Sequence, residues 1–425
     1  GGRPAEALWL CGGLRGAPVT PARSPRFPLF DSLRAIAALS IFAFHTAWHL
    51  NLLSQNVISH YLRQLNIGVA IFFVISGFLL YRPFVQAAFE EGPAPEPKPY
   101  AIRRALRIVP AYWVALPIVA VMLGITSEVF TPPSHILVYF GFLQIYQADT
   151  VIGGIGPAWT LCIEVTFYVA IPIWAWALRR ARVRGQAARL RLELWALAGL
   201  VVFSIVWKEA MLHLLSPDQP GYLAAQVSLP AFADHFAMGM AVAVLSVAWG
   251  ARPQEPAAAR LIDRSPWIPW AAGLAGFAIL GIGPGVAGQG WEGQTILRHE
   301  LKGLIGVAVI LPAVFGVLGR GWVRRFLAHR VLLWLGLVSY ALYLWQLGFI
   351  LKFKEWFLAS WGWLPVALLA FAATVAVSAL SWKFVEAPAQ RLARRLTRGS
   401  SPRPSPGDLA TADEAITPAP GPVSR

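Results

Sequence analysis

Arg34 and His45 are ionisable residues in one segment that is otherwise typical of a membrane-spanning helix. The segment reads LFDSLRAIAALSIFAFHTAWHLNLL. An ionisable side chain in hydrocarbon is costly unless it is paired or faces water, so such residues are usually functional. Eleven residues of helix make about three turns and rise roughly 16 Å, which places both side chains on one face. The imidazole can act as a general base or as a nucleophile.

Glu164 and Asp31 are the carboxylates that could complete this chemistry. Glu164 lies near the start of a later apolar segment, GPAWTLCIEVTFYVAIPI. We expect it to have nearly the same depth as His45 and to meet it in a polar pocket toward the outer leaflet, where it would orient or polarise the imidazole. The alternative is a neutral acid that is hydrogen-bonded to a neighbouring helix. Asp31 precedes Arg34 by about one helical turn and could pair with its guanidinium.

Three arginines, Arg103, Arg104 and Arg107, lie in the segment AIRRALRIVPAYW, just before the third predicted span. Arg104 and Arg107 are three residues apart and so face the same way. Guanidinium groups arranged in this manner are suited to binding phosphate oxygens. The alternative is that these residues only anchor the cytoplasmic end of a helix.

Hydroxyl and amide groups in two further spans are candidates for the wall of a pocket. Ser76 lies in mid-span, where a small residue more often permits close helix packing than takes part in chemistry. The segment LGLVSYALYLWQLGFI contains Tyr340, Tyr343 and Gln346. Tyr343 and Gln346 share a face, either as hydrogen-bonding contacts between helices or as part of the pocket.

No metal or redox centre is expected from the sequence. His49 follows His45 by one turn, but a histidine pair without a third ligand is a weak indication of a metal site. Asp234 and His235 are adjacent in a predicted span, so they point apart, and at least one should face the interior. The two cysteines, Cys11 and Cys162, form neither a disulfide framework nor a metal motif.

The composition indicates an all-α polytopic membrane protein. Of 425 residues, 57% are hydrophobic and 13% are charged, which excludes an ordinary soluble domain. The formal charge of +15 could suggest binding to nucleic acid. However, the basic residues cluster in short loops between apolar segments, as in cytoplasmic loops of membrane proteins. We therefore expect no nucleic-acid partner.

Ten apolar segments have the length of a membrane span, and the basic residues place both termini on the cytoplasmic side. The predicted spans are 30–51, 65–85, 108–126, 157–178, 192–213, 226–249, 266–284, 300–319, 331–351 and 362–384. The stretch 134–146 is too short to span alone and is predicted to be a re-entrant or interfacial helix.

Three regions follow from this pattern. Residues 1–27 are predicted to be a disordered N-terminal tail, and 28–388 the ten-helix membrane domain. Residues 389–425 are predicted to be a cytoplasmic tail, first basic and then disordered. The Pro-rich linker 90–100 is expected to be extended.

Six segments, taken in order, resemble the membrane acyltransferase-3 family, which O-acylates sugars, surface polysaccharides and some secondary metabolites. They are FDSLRAIAALSIFAFHT, GVAIFFVISGFLL, RRALRIVPAYW, PAWTLCIEVTFY, LGLVSYALYLW and FVEAP. Together they extend from about residue 29 to residue 388, so the resemblance covers nearly all of the predicted membrane domain.

The resemblance implies transfer of an acyl group from cytoplasmic acyl-CoA to a hydroxyl group. Arg34 and His45 match the spaced Arg and His of the family's first span. Arg104 and Arg107 match its Arg-x-x-Arg pair, thought to hold the donor, and Arg103 is grouped with them. Glu164 matches the acid of its Pro-x-Trp-Ser-Leu-x-x-Glu motif.

Two residues depart from the family pattern. Thr160 stands where the motif usually has Ser, and it keeps the hydroxyl. Gln346 stands where many members have His, and an amide cannot transfer a proton. Tyr112 and Trp159 lie within the matching segments and are added as pocket candidates, beside Asp31, Ser76, Thr160, Tyr340 and Gln346.

The expected protein is thus a multi-pass enzyme of the inner (cytoplasmic) membrane, with acyl-CoA as donor substrate and no bound cofactor. The acceptor is expected to be a hydroxyl-bearing glycan, a lipid-linked sugar or a macrolide-like molecule. A proton-coupled transporter is the alternative, because many spans with buried charges also describe a permease. We find no inverted repeat in the sequence to support that alternative.

Overall fold

The structure is a computed structural model, and it describes residues 27–54, 56–216, 218–250, 256–282, 296–317 and 319–397. The expected disordered tails lie almost entirely outside these ranges. The described residues form helices joined by short turns and contain no strand.

Eighteen α-helices make up the described part of the chain. In order they are α1 Leu29–His49, α2 Val57–Gln64, α3 Ile67–Phe89, α4 Pro97–Leu123, α5 Thr126–Phe130, α6 Ser134–Phe140, α7 Trp159–Arg180, α8 Gln186–Leu214, α9 Tyr222–Gln226, α10 Leu229–Gly250, α11 Ala257–Arg264, α12 Trp267–Ile282, α13 Ile296–Val314, α14 Trp322–Leu327, α15 Arg330–Leu337, α16 Ser339–Trp361, α17 Trp363–Ser381 and α18 Ala387–Leu396. Short 3₁₀ turns cover Gln144–Tyr146 and Gly156–Ala158, and a π-helical turn covers Trp382–Glu386.

Among the described residues, seven helical segments are long and apolar enough to cross a membrane, or nine if each of two bent helix pairs counts as one span. The bent pairs are α11 with α12, at 86°, and α15 with α16, at 72°. The sequence predicted ten spans. The predicted span that is missing from these nine is the one at 300–319, which corresponds to α13. The first turns of α13 contain Arg298, Glu300 and Lys302, and these charges exclude it from the apolar set.

Helix α3 lies at the centre of the bundle and packs against α1, α7, α10 and α13. Its contact with α10 is close because glycines stand at the crossing. Gly77 lies on the backbone of Phe236, and Gly239 lies on the backbone of Val74. A side chain at either glycine would separate the two helices, so these residues hold the backbones of α3 and α10 together.

Helices α1 and α3 run antiparallel, and their contacts fix which residues share a level. Phe30 stacks on Phe78, with ring centroids 5.0 Å apart. At the other end of the pair, Gly68 lies against Ala37 and Ile41. We call the two ends of the bundle the Leu29 end and the His49 end, after the termini of α1.

The predicted ninth span is a bent pair rather than one helix. The hydroxyl of Ser339 donates to the carbonyl of Gly336 at 2.8 Å, at the bend between α15 and α16. Gly336 packs on the backbone of Asp31, where a side chain would not fit. The bend turns α16 along α1, toward the His49 end.

The stretch between α4 and α7 forms two short helices and two 3₁₀ turns, and 134–146 is too short to span, as expected. Glu128 links distant parts of this stretch to one another. Its Oε1 accepts hydrogen bonds from the backbone N–H of Gly154 at 2.8 Å and from the hydroxyl of Tyr139 at 3.1 Å. Gly156 lies against the side chain of Leu347 on α16. Helix α7 therefore begins inside the bundle rather than at its surface.

Candidate active site

A cavity of about 310 Å³ lies between α1, α3, α4, α7 and α16. Its polar lining consists of Arg34, Ser76, Arg104, Arg107, Thr160, Glu164, Tyr168, Ser339, Tyr340 and Tyr343. Its apolar lining consists of Val69, Phe72, Phe73, Ile75, Leu79, Leu80, Ile108 and Leu161. The cavity thus brings together most of the charged residues that the sequence singled out.

Glu164 is the acidic group of the cavity and is held by two hydroxyl groups. Ser76 donates to its Oε1 at 2.8 Å, and Tyr168 donates to the same oxygen at 2.9 Å. Two donors to one oxygen fix the position of the carboxyl group. Tyr168 was not among the predicted site residues, although its spacing of four from Glu164 on one helix could have indicated it.

Arg34 reaches the cavity from α1 and is paired with Asp31, as predicted. Its Nη1 lies 2.8 Å from Oδ1 of Asp31, one turn earlier. The Asp31 side chain is 40% exposed and does not line the cavity, whereas that of Arg34 is 19% exposed. Asp31 therefore positions the guanidinium from the side away from the cavity.

Of the three arginines on α4, Arg104 and Arg107 line the cavity, and Arg103 is exposed. The three arginines are helical, as predicted, and the helix begins before them, at Pro97, a residue type that favours the first turn of a helix. For the same reason, only part of the linker 90–100 is without helix. The prediction that Arg104 and Arg107 share a face is confirmed.

Neither Arg104 nor Arg107 makes a direct ion pair with an acid among the described residues. The Nε of Arg104 is buried and has no hydrogen-bond partner, and its guanidinium lies 6.0 Å from the ring centroid of Tyr100. Two guanidinium groups that line one cavity and make no direct ion pair are suited to an anionic ligand.

The expected contact between His45 and Glu164 is not made. Glu164 accepts a hydrogen bond from Ser76. Ser76 lies two residues from Phe78, whose ring stacks on that of Phe30, so Glu164 lies at the level of Phe30 and Arg34 on α1. His45 lies three helical turns farther along α1, roughly 16 Å from Arg34. The estimate of equal depth was wrong because α7 begins inside the bundle, which shifts Glu164 toward the Leu29 end.

His45 does not line the cavity and has polar neighbours of its own. Gln346 of α16 lies beside it, and the ring of His49 is 6.2 Å away between centroids. Nδ1 of His45, Oγ1 of Thr46 and Oε1 of Gln346 are buried and have no hydrogen-bond partner. We call His45, Thr46 and Gln346 the His45 cluster.

Tyr343 and Thr160 stand between the cavity and the His45 cluster. The hydroxyl of Tyr343 lies 2.8 Å from that of Thr160 and donates to the carbonyl of Pro157 at 2.9 Å. The ring of Phe72 meets the Tyr343 ring edge to face at 6.0 Å. Tyr343 is therefore both a pocket wall and a hydrogen-bonded contact between helices, the two possibilities that the sequence left open.

Two of the remaining candidates lie away from the cavity, and one lines it. Tyr112 is fully buried against Phe142, with ring centroids 4.4 Å apart. Trp159 packs on Phe232 at 5.5 Å. Tyr340 does line the cavity, and its hydroxyl donates to the carbonyl of Ile108 at 2.8 Å.

A buried ionic cluster joins α8, α10 and α13, and the sequence indicated only part of it. Lys208 pairs with Asp234 and, at 2.8 Å, with Glu300. Nε2 of His299 lies 3.2 Å from Asp234, and Nε2 of His235 donates to the carbonyl of His299 at 3.0 Å. Asp234 and His235 are both buried, so both face the interior.

Asp234, His235 and His299 could offer three ligand atoms within 4.8 Å of one another to a metal ion. However, the imidazole rings of His235 and His299 are stacked, with centroids 4.1 Å apart and an interplanar angle of 12°. Their nitrogen lone pairs therefore lie in two nearly parallel planes and do not converge on one point. The ammonium of Lys208 already supplies positive charge to Asp234. This geometry suits an ion-pair network better than tetrahedral coordination.

Comparison with known proteins finds a family model that matches most of the chain. Residues 28–383 match the model of the acyltransferase-3 family, whose description is "Acyltransferase domain". The matched range includes every residue that lines the cavity and also the His45 cluster.

Three characterised proteins are similar to the chain. Acyltransferase MdmB of Streptomyces mycarofaciens is 30% identical over 39% of this chain and 43% of its own length. Nodulation protein 10 of Rhizobium leguminosarum bv. viciae is 29% identical over 40% of this chain and 50% of its own. Peptidoglycan O-acetyltransferase OatA of Listeria monocytogenes is 23% identical over 86% of this chain and 56% of its own.

The chain thus spans about half the length of these relatives. No solved structure matches it.

Proposed function

The chain belongs to the acyltransferase-3 family, and from this premise we propose that it moves a short acyl group, acetyl in the first instance, from acyl-CoA to a hydroxyl group of a carbohydrate or secondary-metabolite acceptor. The observation that carries the proposal is the pair Arg104 and Arg107, two guanidinium groups that line one cavity and take part in no direct ion pair. A phosphorylated donor supplies the negative charge that these groups lack.

The proposed topology has ten spans in the inner membrane with both termini cytoplasmic. The seven apolar segments, the two bent pairs and α13 together supply that number. The distribution of Lys and Arg supports the same orientation. On this topology the Leu29 end faces the cytoplasm, where acyl-CoA is made, and the His49 end faces outward.

The cavity takes only the reactive end of the donor. At about 310 Å³ it is at the lower limit for small-molecule sites, too small for a whole nucleotide-bearing thioester. Arg104 and Arg107 hold phosphate oxygens at the Leu29 end, and Arg34, fixed by Asp31, adds a third cation. The arm that carries the thioester enters along α3, past Ser76 and Glu164.

His45 then takes part in transfer by one of two routes. As a carrier, its imidazole nitrogen attacks the thioester carbonyl, the C–S bond breaks, and the CoA thiolate leaves and takes up a proton. The acceptor hydroxyl next attacks the acyl-imidazole, the C–N bond breaks, and the hydroxyl proton passes to the imidazole. As a base, His45 takes the hydroxyl proton while that oxygen attacks the thioester carbonyl directly, the C–S bond breaks, and the CoA thiolate leaves and takes up the proton from the imidazolium. Both routes require the thioester to pass Tyr343 and Thr160.

The acceptor is proposed to be a hydroxyl-bearing glycan, because one relative is named as a peptidoglycan O-acetyltransferase. The test uses the full chain in lipid nanodiscs, radiolabelled acetyl-CoA and soluble peptidoglycan fragments as the acceptor probe. We expect release of CoA thiol and transfer of label to the fragments. Absence of thiol release both with and without the fragments would contradict the proposal.

A proton-coupled transporter is the second candidate, and the buried ionic cluster of Lys208, Asp234 and Glu300 is the observation in its favour. Buried ion pairs of this kind occur along proton pathways in transporters. Proton-dependent uptake by vesicles that contain the chain, together with no thiol release from acetyl-CoA, would favour this candidate over the acyltransferase.

A further inference from the structure

We propose that Glu386 is a negative charge behind the phosphate site, and that it weakens the binding of phosphate oxygens at Arg107 so that CoA can leave after transfer. The inference rests on the proposed function, because it concerns the affinity of the donor site. Glu386 lies in the segment FVEAP, one of the six segments that resemble the family. It does not line the cavity, and it takes no part in the proposed transfer step.

Glu386 is a buried acid that no cation contacts directly. The residue is 2% exposed, and its Oε1 accepts a long hydrogen bond, at 3.5 Å, from the hydroxyl of Ser381. None of the ion pairs among the described residues includes it. A buried carboxylate is costly unless positive charge compensates it. Any compensating charge for Glu386 therefore acts over a longer distance than a direct ion pair.

Arg107 supplies such a charge. The side chains of Glu386 and Arg107 interact electrostatically, and the π-helical turn Trp382–Glu386 packs on α4, the helix that carries Arg107. Tyr340 links the two places. Glu386 acts on its phenol group, and its hydroxyl donates to the carbonyl of Ile108, the residue after Arg107. Glu386 thus lies behind the cavity wall, at the end that the arginines line.

The arrangement differs from that of Asp31 and Arg34 in one respect. Asp31 also lies outside the cavity, but it contacts its arginine directly, at 2.8 Å. Glu386 makes no direct ion pair with Arg107, so the hydrogen-bond donors of that guanidinium stay available to a ligand. The ligand nevertheless lies within the electric field of the Glu386 carboxylate.

This field opposes the binding of an anion. Two unit charges about 10 Å apart, at the effective dielectric constant of about 20 that suits such sites, interact by an amount equivalent to roughly tenfold in affinity. A phosphate group at Arg107 is repelled by Glu386 while it is attracted by the guanidinium. The acid therefore lowers the affinity of the site without blocking it.

Weaker phosphate binding has a use in turnover. CoA keeps every phosphate group of the donor, so contacts with the arginines hold the product as firmly as they hold acetyl-CoA. Interactions that are equal before and after the chemical step do not accelerate that step. Release of product commonly limits turnover. A negative charge behind the site thus shortens the time for which CoA occupies it.

The test measures the dissociation constants of acetyl-CoA and of CoA for the full chain in nanodiscs. In Glu386→Gln we expect both constants to fall by about tenfold, because the repulsion is lost. The amide has the same shape and can still accept the hydrogen bond from Ser381, so the fold is retained. Glu386→Asp keeps the charge, and we expect both constants to stay within threefold of wild type.

A donor without phosphate separates the electrostatic effect from a change in the shape of the site. For S-acetyl-N-acetylcysteamine, an uncharged thioester, we expect kcat/KM for thiol release by Glu386→Gln to stay within twofold of wild type. A merely structural role of Glu386 would change the rate with this donor as well.

Glu193→Gln is the matched control variant. Glu193 is equally buried, and it accepts a hydrogen bond at 2.6 Å from the hydroxyl of Tyr81, near the same end of the bundle. It lies on α8, and no residue of that helix lines the cavity. We expect the dissociation constants of acetyl-CoA and CoA for this variant to stay within twofold of wild type.

Dissociation constants in Glu386→Gln that equal or exceed those of wild type would overturn the inference and leave the proposed function standing. Equal tightening in Glu193→Gln, or a tenfold change in kcat/KM for the phosphate-free thioester in Glu386→Gln, would also overturn it. If the wild-type chain neither binds acetyl-CoA nor releases thiol from it, the proposed function itself is contradicted.

Discussion

Glu164 and Arg34 in the cavity differ from the His45 cluster in how their polar atoms are satisfied, although Nε of Arg104 in the cavity also has no partner. In the cavity, Glu164 accepts hydrogen bonds from Ser76 and Tyr168, and Arg34 is paired with Asp31. Around His45, one polar atom on each of three neighbouring side chains is buried and has no partner. The two regions lie on the same face of α1, at levels roughly 16 Å apart.

This difference separates two tasks. Fixed acids and hydroxyls in the cavity position a donor without rearrangement, and positioning of this kind lowers the cost of binding. Unpartnered polar atoms are uncommon in protein interiors, and they are a feature of sites that act on a substrate. Under the proposed function, donor binding belongs to the cavity and transfer to His45, and three substitutions test that division.

The largest effect is expected from His45→Ala. Loss of a general base or nucleophile lowers transfer by about 10²- to 10⁴-fold. The dissociation constant for acetyl-CoA should stay within twofold of wild type, since His45 does not line the cavity. Label transfer and equilibrium binding are measured on the same nanodisc preparation. Full transfer by His45→Ala would remove the role assigned to the His45 cluster.

The next effect is expected from the double substitution of Arg104→Ala and Arg107→Ala. Hydrogen bonds to charged groups contribute about 1.5–3 kcal/mol each, so the loss of two should raise the dissociation constant for acetyl-CoA by about 100-fold. Arg103→Ala is the matched control, because it removes an exposed arginine from the same turn of the same helix. Equal weakening by the control would show that only the overall charge of this end matters.

The smallest effect is expected from Gln346→Leu. A neutral hydrogen bond contributes about 0.5–1.5 kcal/mol, so removing the amide beside His45 should lower kcat by about two- to tenfold and leave donor binding unchanged. Gln346→His keeps a polar side chain at this position and should retain more activity than Gln346→Leu. A rise in the dissociation constant for acetyl-CoA in Gln346→Leu would show that the two regions are not separate.

Much of the cavity was predictable from local spacing. The three-residue steps from Asp31 to Arg34 and from Arg104 to Arg107 fix which side chains share a helix face, and the structure confirms both pairs. Glu164 was also identified, because a carboxylate in an apolar segment is costly without partners.

Features that depend on tertiary structure were not predictable. The depth of Glu164 was misjudged because counting residues from the start of a span assumes that every span begins at the membrane surface. Glu128 anchors a stretch that lets α7 begin inside the bundle, and the sequence does not indicate that contact. The two partners of Lys208 are Asp234 and Glu300, which lie on other helices at separations that helix periodicity does not reach.

An electron cryomicroscopy structure of the full chain with acetyl-CoA tests the central claim most directly, namely that the donor binds in the cavity and delivers its acyl group toward His45. We expect phosphate oxygens within hydrogen-bonding distance of Arg104 and Arg107, and the acetyl group between Ser76 and Tyr343. A donor bound elsewhere, with both arginines free of phosphate contacts, would contradict the claim.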